Sequence, residues 1–267
     1  MGIALFVLCV AFTSKLINQN IVVPLEVKLT RYAPLDEICH GKIVGDCVRG
    51  SNNAASQALL IGDSHAAQLN LFFDEVGEHN KLAVKIVTAS SCVTIPEFDV
   101  ERLPKWARPP CLDQIDIVEN LLPNYENIIV AGMWSYHVRS QKFLDALNLF
   151  LADTQKKGTN VIVLSQIPML RSNPVRLQRF NSLNLPTQVY LDESSIKANN
   201  IVLQIAEKYE NVTFVDFSDT SFFKTVPFYK NGLIYLDNSH LNEVGSKQYG
   251  QFVGNRLMSF IKSDLTE

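Results

Sequence analysis

Ala58-Leu59-Leu60-Ile61-Gly62-Asp63-Ser64-His65 is the stretch that decides the fold. Its first four residues are apolar on both faces, as in a buried parallel strand, and Ala66, Leu69, Phe73 and Val76 then recur at helical spacing. A strand, a tight turn at Gly62 and a helix follow from this pattern. Ser64 then stands at or near a helix N-terminus, where unpaired N–H groups and the helix dipole favour developing negative charge. A nucleophilic oxygen is useful there. Asp and Ser are also among the best helix N-caps, so on this stretch alone a capping role for Asp63 or Ser64 is an equal reading.

Outward from this stretch the pattern alternates. Strand candidates are Ala58–Ile61, Ala83–Val87, Ile128–Ala131, Val161–Leu164 and Thr213–Asp216. Helical candidates are Ala66–Glu78, Gln114–Leu122, Gln141–Lys156, Ser194–Tyr209 and Glu243–Ile261. Strand and helix in turn predict an α/β protein, a three-layer α/β/α sandwich with a central parallel sheet. Ligands of such sheets bind beyond the carboxyl ends of the strands, where this reading puts Ser64.

A second stretch, Tyr235-Leu236-Asp237-Asn238-Ser239-His240-Leu241-Asn242-Glu243-Val244-Gly245, supplies partners for the serine. A carboxylate three residues before a histidine, at the opening of a helix, can reach the imidazole and fix its tautomer, the task of a triad acid. Alone, Asp-x-x-His is weak evidence. In Ser…Asp…His order with a strand-turn-helix serine it makes Ser64, Asp237 and His240 the candidate catalytic set.

With these residues in view, the chain resembles a known family. Gly62-Asp63-Ser64-His65 is similar to the first block of the SGNH (GDSL-like) hydrolase superfamily, and Asp237-Asn238-Ser239-His240 to its terminal D-x-x-H block. GDSH followed by Ala66, the Ser91-Cys92 pair after the next strand, and D-x-S-H-L-x-x-x-G resemble more narrowly the periplasmic SGNH domain. That domain is fused behind integral-membrane acyltransferases that decorate bacterial surface polysaccharides. The resemblance runs from about Tyr32 to Ile261 and implies an SGNH, flavodoxin-like sheet. Two blocks depart from the pattern. The second-block glycine has no clear match in Thr88–Cys92, and Gly-x-Asn is met only by Gly132, with Trp134 in place of the asparagine. The oxyanion donors are therefore sought in backbone N–H groups, with Ser64, Ser91 and Trp134 as candidates.

The rest of the chain bounds this reading. Its 267 residues, 47% apolar and 19% charged, suffice for one globular core. A net charge of −3 without a long basic run gives no reason to expect a nucleic-acid partner. Residues 1–17 open on an almost unbroken apolar segment, short for a free-standing span and without the basic start of a signal peptide. They are expected to be a membrane anchor or the remnant of a longer transmembrane helix, with a buried strand as the alternative. Residues 18–35, with Pro24 and Pro34, read as a linker, and 36–267 as the catalytic domain. Cys39, Cys47, Cys92 and Cys111 flank irregular loops, which argues for two local disulfides, Cys39–Cys47 and Cys92–Cys111, in an oxidising compartment. Without Cys-x-x-Cys, no metal site is expected, and no cofactor is implied.

Other polar residues carry weaker readings. His65 reads as a local hydrogen-bonding residue, His137 as the runner-up base lacking a carboxylate nearby in sequence, and His40 and His79 as loop or surface residues. Asp216 ends a strand and is a second candidate acid. Trp134 and Tyr136 read as core or as the wall of a binding cleft.

The expected function is serine-dependent O-acyl transfer, with acetyl implied by the family, onto a cell-surface polysaccharide such as O-antigen of lipopolysaccharide. A membrane-embedded acyltransferase would supply the acyl group at the periplasmic face of the inner membrane. An SGNH carbohydrate esterase is the alternative, and a catalytically silent carbohydrate-binding module a third reading.

Overall fold

The computed structural model describes residues 2–20 and 24–261. Helix α1 (Gly2–Asn20) is followed by strand β1 (Val48–Gly50), β2 (Ser56–Gly62), the short α2 (Ser64–Ala67), α3 (Asn70–Asn80), β3 (Leu82–Thr88) and α4 (Arg108–Leu121). Then come β4 (Asn127–Ala131), the single turn α5 (Trp134–His137), α6 (Gln141–Lys157) and β5 (Asn160–Leu164). An excursion formed by β6 (Met169–Leu170), α7 (Pro174–Ser182) and β7 (Leu191–Asp192) precedes α8 (Ser194–Ala206) and β8 (Val212–Val215). A hairpin of β9 (Phe228–Tyr229) and β10 (Gly232–Leu233) leads to α9 (Glu243–Met258).

The main sheet has the order β1-β3-β2-β4-β5-β8, parallel except for the edge strand β1. Strand period sorts the core. Ala58 and Leu60 face Phe72 and Phe73 of α3 and Tyr249 and Val253 of α9, whereas Leu59 and Ile61 face Val118 of α4, Leu147 of α6 and Val202 of α8. The two clusters are the two dry faces of the expected three-layer sandwich. Because β2 leads to β3 on one side and the chain then returns to β4 on the other, strand order reverses at β2. The crevice of an open α/β sheet therefore opens at the end of β2.

All five expected strands form, each within one or two residues of its bounds. The helix expected over Ala66–Glu78 is instead two, and the cause is a side chain from α9. Ser246 Oγ accepts from Phe72 N at 3.1 Å and donates to the Gln68 carbonyl at 2.5 Å, inserting itself into the i→i−4 ladder. Helix α4 starts six residues ahead of Gln114, with Pro109 and Pro110 in its first turn, where a missing N–H is harmless. The last turn expected of α8 and the end expected of α9 are not helical.

Residues 2–16 are helical, with Ile3, Phe6 and Leu8 exposed, so the buried-strand alternative is not met. Among the described residues no helix is long and apolar enough to cross a membrane. Of the expected linker, residues 18–20 extend α1 and 21–23 lie outside the described residues. Its end packs on the domain: Arg31 Nε meets Glu243 Oε1 at 2.5 Å, and the Arg31 carbonyl accepts Glu243 N. Both disulfides form as expected, spanning 8 residues in Cys39–Cys47 and 19 in Cys92–Cys111.

Candidate active site

Strand β2 must end in glycine. Gly62 has φ 151°, and a Cβ there would lie 1.8 Å from the Ala131 carbonyl of the neighbouring strand. Asp63 follows in extended conformation and caps α2, its Oδ1 accepting from His65 N at 2.7 Å. Both readings of the opening stretch therefore hold at once: Asp63 is the cap, and Ser64 is the first helical residue. Ser64 is half-buried.

The loop before α9 brings the histidine. Leu241 N donates to Gln68 Oε1 at 2.6 Å, Asn242 Nδ2 to the Leu233 carbonyl, and Asn242 Oδ1 caps α9 through Gly245 N. Held this way, His240 Nε2 lies 2.9 Å from Ser64 Oγ, and its Nδ1 lies 3.0 and 3.1 Å from the Asp237 oxygens. Asp237 Oδ1 also accepts from the N–H groups of Ser239 and His240, both at 2.8 Å. Burial raises the Asp237 pKa, but the His240 hydrogen bond and charge and these two N–H groups outweigh it and bring it to about 2. The carboxylate is ionised at neutral pH. It fixes Nδ1–H and leaves Nε2 as the acceptor that faces the serine.

The oxyanion candidates separate. The Ser64 N–H opens α2. Ser91, which stands between Thr88 at the end of β3 and the Cys92–Cys111 disulfide, has φ 58°, a left-handed conformation uncommon for a residue other than glycine. Glycine adopts such a backbone freely, and here a serine holds it. Trp134 is placed differently. Its N–H donates to the Gly132 carbonyl at 3.0 Å, its indole N–H to the Leu164 carbonyl at 2.8 Å, and its ring is fully buried. Trp134 is core, and neither of its N–H groups is free to meet a substrate. Tyr136 lies under the Arg102 guanidinium, 4.4 Å from its ring centre.

Sequence reasoning missed several residues around this centre. The Tyr32 ring stacks on His240 at 5.9 Å, and its phenol pKa is pushed up to about 12 by burial and by Asp63 and Asp237. His40, expected on the surface, bridges Thr88 Oγ1 at 3.0 Å and Ser90 Oγ at 2.9 Å. Burial lowers its pKa to about 4, with Asp63 opposing and His240 assisting. His65, read as a hydrogen-bonding residue, is buried with both ring nitrogens unpartnered and its centre 4.7 Å from that of His240. His137 is fully buried and bonds Asp63 at 2.7 Å, so it does not face Ser64 as a base. Asp216 is exposed and binds Ser218 rather than the site. Long-range packing brings Tyr32, His40 and His137 to this centre, whereas His65 follows Ser64 directly in the chain. The one local signal was Asp63 itself. Among the described residues no cluster suited to a metal ion is present.

The geometry can be set beside known proteins. The family model described as the SGNH domain fused to AT3 domains matches residues 32–254. The chain belongs to this family. Among solved structures, the SGNH domain is similar to the periplasmic domain of a lipopolysaccharide acetyltransferase from Salmonella ser. Paratyphi A. Identity is 16% over 83% of this chain and 91% of that one, with a TM-score of 0.59. It also matches the C-terminal catalytic domain of a Streptococcus pneumoniae peptidoglycan O-acetyltransferase, at 16% identity over 80% and 100% of the chains, TM-score 0.43. An acetylxylan esterase from Geobacillus stearothermophilus matches at 15% identity over 79% and 98%, TM-score 0.45. A comparison with curated protein sequences finds no match. The likeness to the Salmonella domain, at a TM-score of 0.59, is one of fold.

Proposed function

We propose that this SGNH domain is a serine-dependent O-acyltransferase that carries an acetyl group on Ser64 and passes it to a hydroxyl of a cell-surface polysaccharide at the periplasmic face of the inner membrane. The observation that carries the reading is the continuous chain from Ser64 Oγ through His240 to Asp237, at 2.9 and 3.0 Å, in a domain whose family is fused to AT3 domains. Ser64 Oγ attacks the acyl carbonyl while His240 Nε2 takes its proton, and Asp237 stabilises the imidazolium that forms. The N–H groups of Ser64 and Ser91 receive the oxyanion. Collapse releases the donor's leaving group with the proton from His240. The sugar hydroxyl then gives its proton to His240 and attacks the acyl-serine, freeing Ser64. A membrane-embedded acyltransferase delivers the acyl group.

Incubation with p-nitrophenyl acetate, with and without a surface polysaccharide, followed by intact mass, tests this. Acetyl should accumulate on Ser64 and be discharged faster by the glycan than by water, and Ser64→Ala should abolish the adduct. Rapid hydrolysis indifferent to acceptor would make the domain an esterase. The absence of any adduct would favour a binding module.

A further inference from the structure

Behind Ser64 lies a second carboxylate and a second histidine that the chemistry above does not use. Asp63 is 1% exposed, and its Oδ2 accepts from Met133 N at 2.9 Å and from His137 Nε2 at 2.7 Å while its Oδ1 caps α2. His137 is packed between aromatic rings, 4.9 Å from the centre of Phe143 and 5.7 Å from that of Phe98. Its other nitrogen, Nδ1, meets Nη2 of Arg102.

That last contact settles where the proton sits. A guanidinium has only donors, so His137 Nδ1 must carry a lone pair and the ring hydrogen must be on Nε2, aimed at Asp63. Without Arg102 the imidazole could take the other tautomer and turn a lone pair toward the carboxylate. A protonated His137 would have to share a dry site with Arg102. Burial, with Arg102 assisting and Asp63 opposing, holds its pKa below the ordinary value. The Asp63 carboxylate is thus fixed by N–H groups from three places: the start of α2, the loop after β4, and α5.

Asp63 is the residue before the nucleophile, so a rotation of its backbone moves both Ser64 Oγ and the Ser64 N–H. We propose that His137, held as its Nε2–H tautomer by Arg102, is a positioning residue that clamps Asp63 and thereby sets Ser64 Oγ against His240. This rests on the reading of Ser64 as nucleophile. It also gives the loop closed by Cys92–Cys111 a task, since Arg102 lies within that loop.

The test uses the full chain. Nitrogen-15 NMR of the histidines should show His137 with a single ring hydrogen, on Nε2, from pH 5 to 8. His137→Leu should lose about 100-fold in kcat toward p-nitrophenyl acetate, with KM little changed, because a small misplacement of a reacting group costs on this scale. Sulfonylation of Ser64 by phenylmethanesulfonyl fluoride should slow in parallel. His137→Gln, whose amide can donate to Asp63 and accept from Arg102, should recover most of both rates. A cationic His137, an Nδ1–H tautomer, His137→Leu at the wild-type rate, or a His137→Gln variant as slow as His137→Leu would each overturn the proposal. A wild-type Ser64 inert to both reagents would overturn the nucleophile reading along with it, whereas a reactive wild type with an unaffected His137→Leu would overturn the clamp alone.

Discussion

Two aspartate–histidine pairs flank one serine, and they are wired in opposite senses. In the Asp237–His240 pair the carboxylate takes Nδ1 and leaves Nε2 facing Ser64 Oγ. In the Asp63–His137 pair the carboxylate takes Nε2, Arg102 takes Nδ1, and no ring nitrogen is left for a substrate. The first pair is partly open, with the Asp237 side chain 42% exposed, and the second is closed at 2% and 0%. A histidine next to a carboxylate is therefore not a base by virtue of the neighbour. What decides its role is which nitrogen remains free and whether solvent and substrate can reach it.

The comparison predicts different failures. Asp237→Asn should lower turnover about 10⁴-fold, through the wrong tautomer at His240, while the melting temperature barely changes. Near-normal activity would remove Asp237 from the reaction. Asp63→Ala should fail first as a folded protein. It strands three buried N–H donors, one of them the capped N–H of His65, which together should cost on the order of 3–5 kcal/mol in chemical denaturation. An Asp63→Ala variant as stable as wild type would erase the distinction between the pairs.

A smaller effect sharpens the comparison from the outside, since a disulfide-closed loop serves each side. Cys39–Cys47 encloses His40, whose ring bridges Thr88 and Ser90, and Cys92–Cys111 encloses Arg102. Loop-closure entropy assigns roughly 2.5 kcal/mol to the shorter loop and roughly 3 kcal/mol to the longer. Melting with and without reductant, and of the paired Cys→Ser variants, should show both losses. An unchanged melting curve with five titratable thiols would contradict the cross-links.

The Asp237–His240 pair was legible in the sequence and the buried pair was not, for a physical reason. Asp237 and His240 are three residues apart, and their bond is local to one turn, so spacing carries it. Asp63 and His137 are 74 residues apart and meet only because β2 and β4 are neighbours in the sheet, with Gly62 level with Ala131. The strands were legible because each is a short apolar run bounded by turn residues. The break between α2 and α3 was not, since the hydroxyl that causes it arrives from Ser246 in α9. Ser91 could be named as a candidate from the family resemblance of the Ser91-Cys92 pair, but its left-handed backbone is a property of the loop. No local signal placed Tyr32 over His240.

The smallest effect separates the two pairs by pH. His65, 3% exposed between them, has its pKa lowered to about 3, first by burial and then by His240. In the unfolded chain its value is the ordinary 6.5, so between pH 6.5 and 3 the unfolded state binds a proton that the folded state refuses. Its contribution to stability is therefore intact above pH 6.5 and is lost progressively as the pH falls, by about 2–3 kcal/mol at pH 4.5. His40, lowered to about 4, acts in the same direction over a narrower window. Asp237 also has a lowered pKa, but its share is lost only as the pH drops below its ordinary value of 3.8 toward about 2. The range from pH 7 to 4.5 thus isolates the buried histidines from the Asp237 carboxylate. Denaturation midpoints should fall across that range in wild type and in Asp237→Asn alike, and fall less in His65→Gln, which cannot take up the proton. An equal slope in His65→Gln would mean that His65 takes up its proton as readily in the folded protein as in the unfolded chain, and a cation 4.7 Å from His240 would then oppose the imidazolium that the proposed reaction requires.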